Sequence, residues 1–155
     1  ANSLDLDEIK DVYDIRVYLE GKAFDLAVKN IKTYEIKQLE SLNQSMSDKS
    51  LNENEYFELN RKFHMDIYKA SGWDFLCQLI SQIHDRISVF RSMFPYDRDV
   101  IHKYVDQHAK IIDAIKNNNI ELSKKIMIEH LREGYVHMRE LSKKKSMQKV
   151  VSLTE

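Results

Sequence analysis

Apolar residues recur along this chain every three or four positions, and no stretch alternates in the way a half-buried strand requires. That spacing predicts six helices. The first covers about 7–30, with Val12, Leu19, Ala23 and Leu26 on one face, and the second about 33–47, with Ile36, Leu39, Leu42 and Met46. After the polar loop SDKSLNEN the third begins near Asn52, where Asn52 and Glu55 have capping-box spacing. It ends at Ser71-Gly72, the glycine serving as a left-handed stop. The fourth, about 73–94, carries Leu76, Ile80, Ile83, Ile87, Phe90 and Phe94, and a turn around Pro95 follows. The fifth, about 99–116, carries Ile101, Val105, Ile112 and Ile115. Asn118 and Glu121 repeat the capping-box spacing before a sixth helix that runs to about Lys143, leaving 144–155 as a tail. Short connections favour antiparallel neighbours, so the expected fold is all-α: one domain over 1–155, an antiparallel bundle of about six helices.

Three helices then break the rule that a core face is apolar. Asn60 and His64 share the inner stripe of the third helix with Phe57 and Ile67. His108 lies between Val105 and Ile112, and His130 falls four residues after Ile126 and four before Gly134. Each buried polar group needs a partner, because an unpaired one costs about 1–3 kcal/mol. A lone inward histidine is most often a core residue bonded to a carbonyl or a tyrosine. Three of them with an amide oxygen one turn away fit a shared divalent metal, with Asn60, His64, His108 and His130 as ligands around a central cavity. His/O donors accept Zn, Ni, Mn or Fe, with Zn or Ni preferred. His84 and His102 read as surface or loop-flanking positions, and His137 as peripheral to the cavity.

Arg16 is the second anomaly, placed between Val12 and Leu19 on the inner stripe of the first helix. A buried guanidinium needs an anion. Two readings stand: a salt bridge with Glu20 one turn on, or a clamp for the carboxylate of a ligand. Arg86 is a weaker candidate for the same task, and Tyr13, Tyr56 and Tyr104 could offer hydroxyls to the cavity or simply pack.

Composition narrows the function. The 155 residues are 43% hydrophobic and 32% charged, which suits a single globular core. No apolar run approaches the ~20 residues that span a bilayer, so no membrane partner is expected. A net charge of -1 lacks the basic surplus of a nucleic-acid binder, and Lys143 to Lys145 read as a solvated helix end. The single Cys77 excludes an internal disulfide and fits a reducing, cytoplasmic setting; within FLCQLI it reads as a buried, inert thiol. The opening residues ANSL read as the trailing edge of something longer, so an N-terminal partner domain is expected outside this chain.

Three phrases carry a resemblance: DIRVYLEGKAFDLA, ELNRKFHMDIYKASG and DQHAKIIDAIKNNNIELSKKIMIEHL. In this order they resemble the C-terminal effector-binding FCD domain of the FadR subfamily of GntR-type bacterial transcription regulators, from about Leu6 to Tyr135. The resemblance implies a helical bundle whose cavity holds a divalent metal. Asn60 stands where the family usually has Asp, followed by Phe63 and His64. His108 and His130 match its later histidines, and Arg16 matches an arginine that often faces the effector. Replacing a carboxylate by Asn60 leaves the metal's charge uncompensated by protein, which favours an anionic ligand. The expected protein is therefore an effector-sensing domain, not an enzyme, binding a small carboxylate through metal and Arg16. Implied with it are a homodimer, and operator DNA bound only through a winged helix-turn-helix domain absent from this chain. The rival readings are a three-histidine metalloenzyme, disfavoured by the lack of H-E-x-x-H or paired E-x-x-H motifs, and a metal-free helical interaction module.

Overall fold

The computed structural model describes the backbone of residues 6–94 and 96–151 and the side chains of 8–94 and 96–144. Its elements are α1 (Leu6–Ala27), α2 (Thr33–Met46), α3 (Glu53–Lys69), α4 (Asp74–Arg91), α5 (Arg98–Lys116) and α6 (Ile120–Val151). The six-helix, all-α expectation holds. The turn assigned to Pro95 lies outside the described residues. α6 runs to Val151 rather than stopping near Lys143. No Gly or Pro interrupts the sequence there, so nothing in the backbone chemistry ends the helix.

The helix ends follow local chemistry. At α3, Glu55 N–H donates to Asn52 Oδ1 at 3.0 Å while Asn52 N–H donates back to Glu55 Oε2 at 2.8 Å. Its far end closes on Gly72, whose φ of 72° is cheap only for glycine. The box expected at Asn118 and Glu121 is not what forms. Asn118 takes a left-handed conformation (φ 54°) that finishes the α5 turn, and Asn119 caps α6 by accepting from Leu122 N–H at 3.2 Å.

α1 packs against α6, α6 against α5, α5 against α2, α2 against α3 and α3 back against α1, with α4 braced on α1 and α3. This circuit surrounds a core that includes Phe24, Leu39, Phe63, Ile67, Ile80, Ile111 and Met127. The buried stripe of α1 is rotated from the expected one. Ile9, Tyr13, Arg16, Glu20, Phe24 and Ala27 face inward, while Val12, Leu19 and Leu26 are half-buried at its edge. Two charged residues therefore occupy the centre of the first helix's inner face.

Candidate metal centre

His64 from α3, His108 from α5 and His130 from α6 bring one nitrogen each to a single point inside the bundle. His130 Nε2 lies 3.2 Å from His64 Nε2 and 3.2 Å from His108 Nε2. All three side chains are buried, and His108 stacks on Phe63 with ring centroids 4.2 Å apart.

The outer nitrogens decide what the inner ones carry. His130 Nδ1 is 2.7 Å from Gln107 Oε1, and the amide is fixed because Gln107 Nε2–H donates to Glu133 Oε2 at 2.8 Å. The His130 proton therefore sits on Nδ1, and Nε2 presents a lone pair. His64 is set in the same way. Tyr68 Oη–H donates to Glu20 Oε2 at 2.5 Å, so the hydroxyl oxygen is free to accept from His64 Nδ1, 3.4 Å away. Two lone pairs facing one another at 3.2 Å repel unless a positive charge lies between them.

Protonation is a poor source of that charge. Burial, reinforced by the neighbouring imidazoles, lowers the pKa of His64 and of His108 well below the ordinary value. Burial, with the charges of Arg16 and Arg91, lowers His130 to about 3. A divalent ion at that point would supply it. Metal–imidazole bonds of about 2.0–2.1 Å place adjacent ligand nitrogens about 3–3.4 Å apart across a tetrahedral or octahedral edge, which matches the observed spacing. The amide oxygen of Asn60, one turn before His64, is buried, has no hydrogen-bond partner and lines the same cavity. These donors fit a cation. They offer it no negative charge.

The cavity beside the histidines is lined by Arg16, Tyr56, Phe57, Asn60, Arg91, Tyr96 and Tyr104, and its volume is about 20 Å³. That space holds about one water-sized body, not an organic acid, so a guest needs side chains to move. Arg16 is committed to Glu20, with Nε 2.6 Å from Oε1, both side chains being almost fully buried. His84 joins them, its Nε2 2.8 Å from the same oxygen. Burial lowers His84 below its usual pKa despite the carboxylate, so this is a neutral N–H donor rather than an ion pair. Burial works against ionisation of Glu20, yet Arg16 and then His84 outweigh it and hold the carboxyl well below its usual range.

Several expectations shift. His84 is buried rather than superficial. Arg86 is exposed and absent from the cavity wall; Arg91, five residues on, occupies that place. Tyr56 and Tyr104 line the cavity, whereas Tyr13 lies behind it against Arg91 and Arg16. His102 is exposed, and His137 packs on Tyr96 at the periphery. Cys77 is buried, and Sγ–H donates to the Tyr68 carbonyl. The sequence reading missed Tyr68, Tyr96, Arg91 and Gln107. Two had a readable signal: Tyr68 is one turn from His64, and Arg91 continues the buried row Ile80, His84, Ile87.

A helical bundle with three histidines around one point defines a class, and comparison places the chain in it. The chain belongs to the FCD domain family, whose model matches residues 11–133. It is 24% identical over 141 residues to an uncharacterised HTH-type transcriptional regulator, YdhC, of Bacillus subtilis (strain 168). That alignment takes in 88% of this chain and 62% of the relative, so the chain spans about six-tenths of the relative's length. The fold is shared with E. coli McbR/YncC (TM-score 0.77, 18% identity, 86% of this chain and 69% of that one). It is shared too with a GntR-family transcriptional regulator from Pseudomonas syringae pv. tomato str. DC3000 (TM-score 0.74, 18% identity, 90% and 60%). Streptococcus agalactiae GntR is a third such structure (TM-score 0.67, 22% identity, 84% and 60%). The B. subtilis and P. syringae relatives are described as transcriptional regulators.

Proposed function

We propose that this chain is the effector-sensing domain of a GntR-type transcription regulator of the FadR subfamily, in which a small organic acid binds to a divalent metal held by His64, His108, His130 and Asn60. The observation that carries the reading is the convergence of three Nε2 atoms, two of them fixed as lone-pair donors by their outer partners. A metal there would act as a Lewis acid for carboxylate oxygens. Asn60 adds no charge, so the guest itself must neutralise the cation. Arg16 on the cavity wall is paired with Glu20, so its charge is already answered from within the chain.

Guest binding has to expand a cavity of about 20 Å³ walled by α1, α3, α4, α5 and α6, and so favours a repacked bundle over the closed one. In the intact regulator that shift would alter the spacing of two N-terminal winged helix-turn-helix heads in a homodimer. Among the described residues no helix is long and apolar enough to cross a membrane, and cytoplasmic action fits this reading. A thermal-shift screen of small carboxylates with and without Zn or Ni tests it. An acid that raises the melting temperature only with metal present supports the proposal. Stabilisation by no acid under either condition would refute it.

A further inference from the structure

Arg16 and Arg91 stand on the wall of one cavity, but only one of them has its charge answered. Arg16 is paired with Glu20. Among the described residues no carboxylate lies within ion-pair distance of Arg91. Only neutral hydroxyls meet it, Tyr13 Oη at 3.4 Å from Nη2 and that of Tyr96; its Cζ lies 5.6 Å from the Phe57 ring centre, and its Nε is buried without a partner. Beside it the Tyr56 hydroxyl is also buried and unpartnered, on a side chain only 1% exposed. A half-buried guanidinium with a buried, unpartnered Nε and a buried hydroxyl with an unfilled hydrogen bond are costly, and an anion at that spot would satisfy both.

Resting on the carboxylate reading above, we infer that Arg91 and Tyr56 form a second anion subsite, so that the effector is a small acid with two carboxylates. One would meet the metal and the other Arg91. Charge arithmetic favours the same class. Glu20 already cancels Arg16, and neutral imidazoles with Asn60 give the metal no protein anion, so the cavity has an excess to which one carboxylate is too small an answer.

Space for the guest lies next door. A surface groove of about 320 Å³ between α3 and α4, lined in part by Glu58, His84 and Ser88, shares Phe57 and Arg91 with the inner cavity. These two side chains border both spaces. Swinging the guanidinium off the Phe57 ring would join the spaces and carry the charge to the incoming acid.

The test is calorimetric titration of the metal-loaded chain with matched pairs: propionate and malonate, butyrate and succinate, pentanoate and glutarate. At least one dicarboxylate should bind tenfold or more tightly than its partner. Arg91→Gln should collapse that ratio to about one, with metal content and helical CD as in the parent, and Arg91→Lys should keep part of it. The subsite is overturned if no dicarboxylate outbinds its partner, or if the ratio survives in Arg91→Gln. If neither member of any pair binds, the carboxylate reading itself falls, and the subsite with it.

Discussion

The amide of Gln107 holds the imidazole of His130 from behind, Oε1 lying 2.7 Å from Nδ1. Gln107 does not face the proposed metal. It decides which nitrogen does. Gln107→Ala should weaken zinc binding by about 10–100-fold, the usual consequence of losing such an outer partner. Gln107→Glu keeps the acceptor but trades the donor to Glu133 for carboxylate repulsion, so it should recover only part of that affinity. Zinc titration with a competing chelator measures both, and equal affinities for Ala and parent would show that Gln107 only packs.

Tyr68 ties the histidines to the charged pair on α1, since its hydroxyl donates to Glu20 and faces His64. Tyr68→Phe leaves a buried carboxylate short of one donor. It should cost about 1–3 kcal/mol of stability, or several degrees of melting temperature, and should loosen zinc binding through His64.

Glu20→Ala is expected to be far more damaging, because it strands Arg16 as an unpaired buried charge. About 3–5 kcal/mol is typical of such a loss. The exposed Lys10–Asp14 pair has the same i,i+4 spacing nearly two helical turns earlier, yet solvent screens it and Asp14→Ala should leave the unfolding midpoint almost unchanged. Urea unfolding of the two variants side by side distinguishes burial from charge pairing, and comparable midpoints would contradict the buried-pair account.

Much of this fold was legible because 3.6-residue spacing survives in every helix. The inward placement of His64, His108 and His130 followed from their own neighbours in sequence. What could not be read was rotation: the α1 stripe turns so that Arg16 and Glu20 point in, because their partners Tyr68 and His84 come from α3 and α4. Those pairings are separated by 48 and 64 positions, and no local pattern encodes them. His84 differs: it lies four residues after Ile80 and three before Ile87, so the apolar row itself carries the signal that it faces inward. Arg86 sits beside Ile87 at the edge of that row, whereas Arg91, four residues after Ile87, continues it to the cavity.

Acid should unfold the metal-free domain early. His64, His84, His108 and His130 all have folded-state pKa values below the ordinary one, mainly through burial. The unfolded chain therefore takes up protons first. Their stabilising contribution is fully present above pH ~6.5 and is lost as pH falls below that, at about 1.4 kcal/mol per pH unit for each group. For His130 the loss continues down to its folded value of about 3. Glu20 is depressed too, so its contribution is present above the usual carboxylate range and disappears as pH drops through its folded value. Both effects have one sign. Melting temperature should fall steeply between pH 6.5 and 5, and a flat profile there would show that these imidazoles are not held neutral.

The claim on which the rest turns is that His64, His108 and His130 share one ion. Metal analysis of chain purified without chelators, followed by zinc and nickel titration of the parent and of His130→Ala, measures it directly. The account predicts about one divalent ion per parent chain, lost in His130→Ala while the helical CD spectrum persists. A parent chain with no saturable binding, or a variant that binds as the parent does, would contradict it.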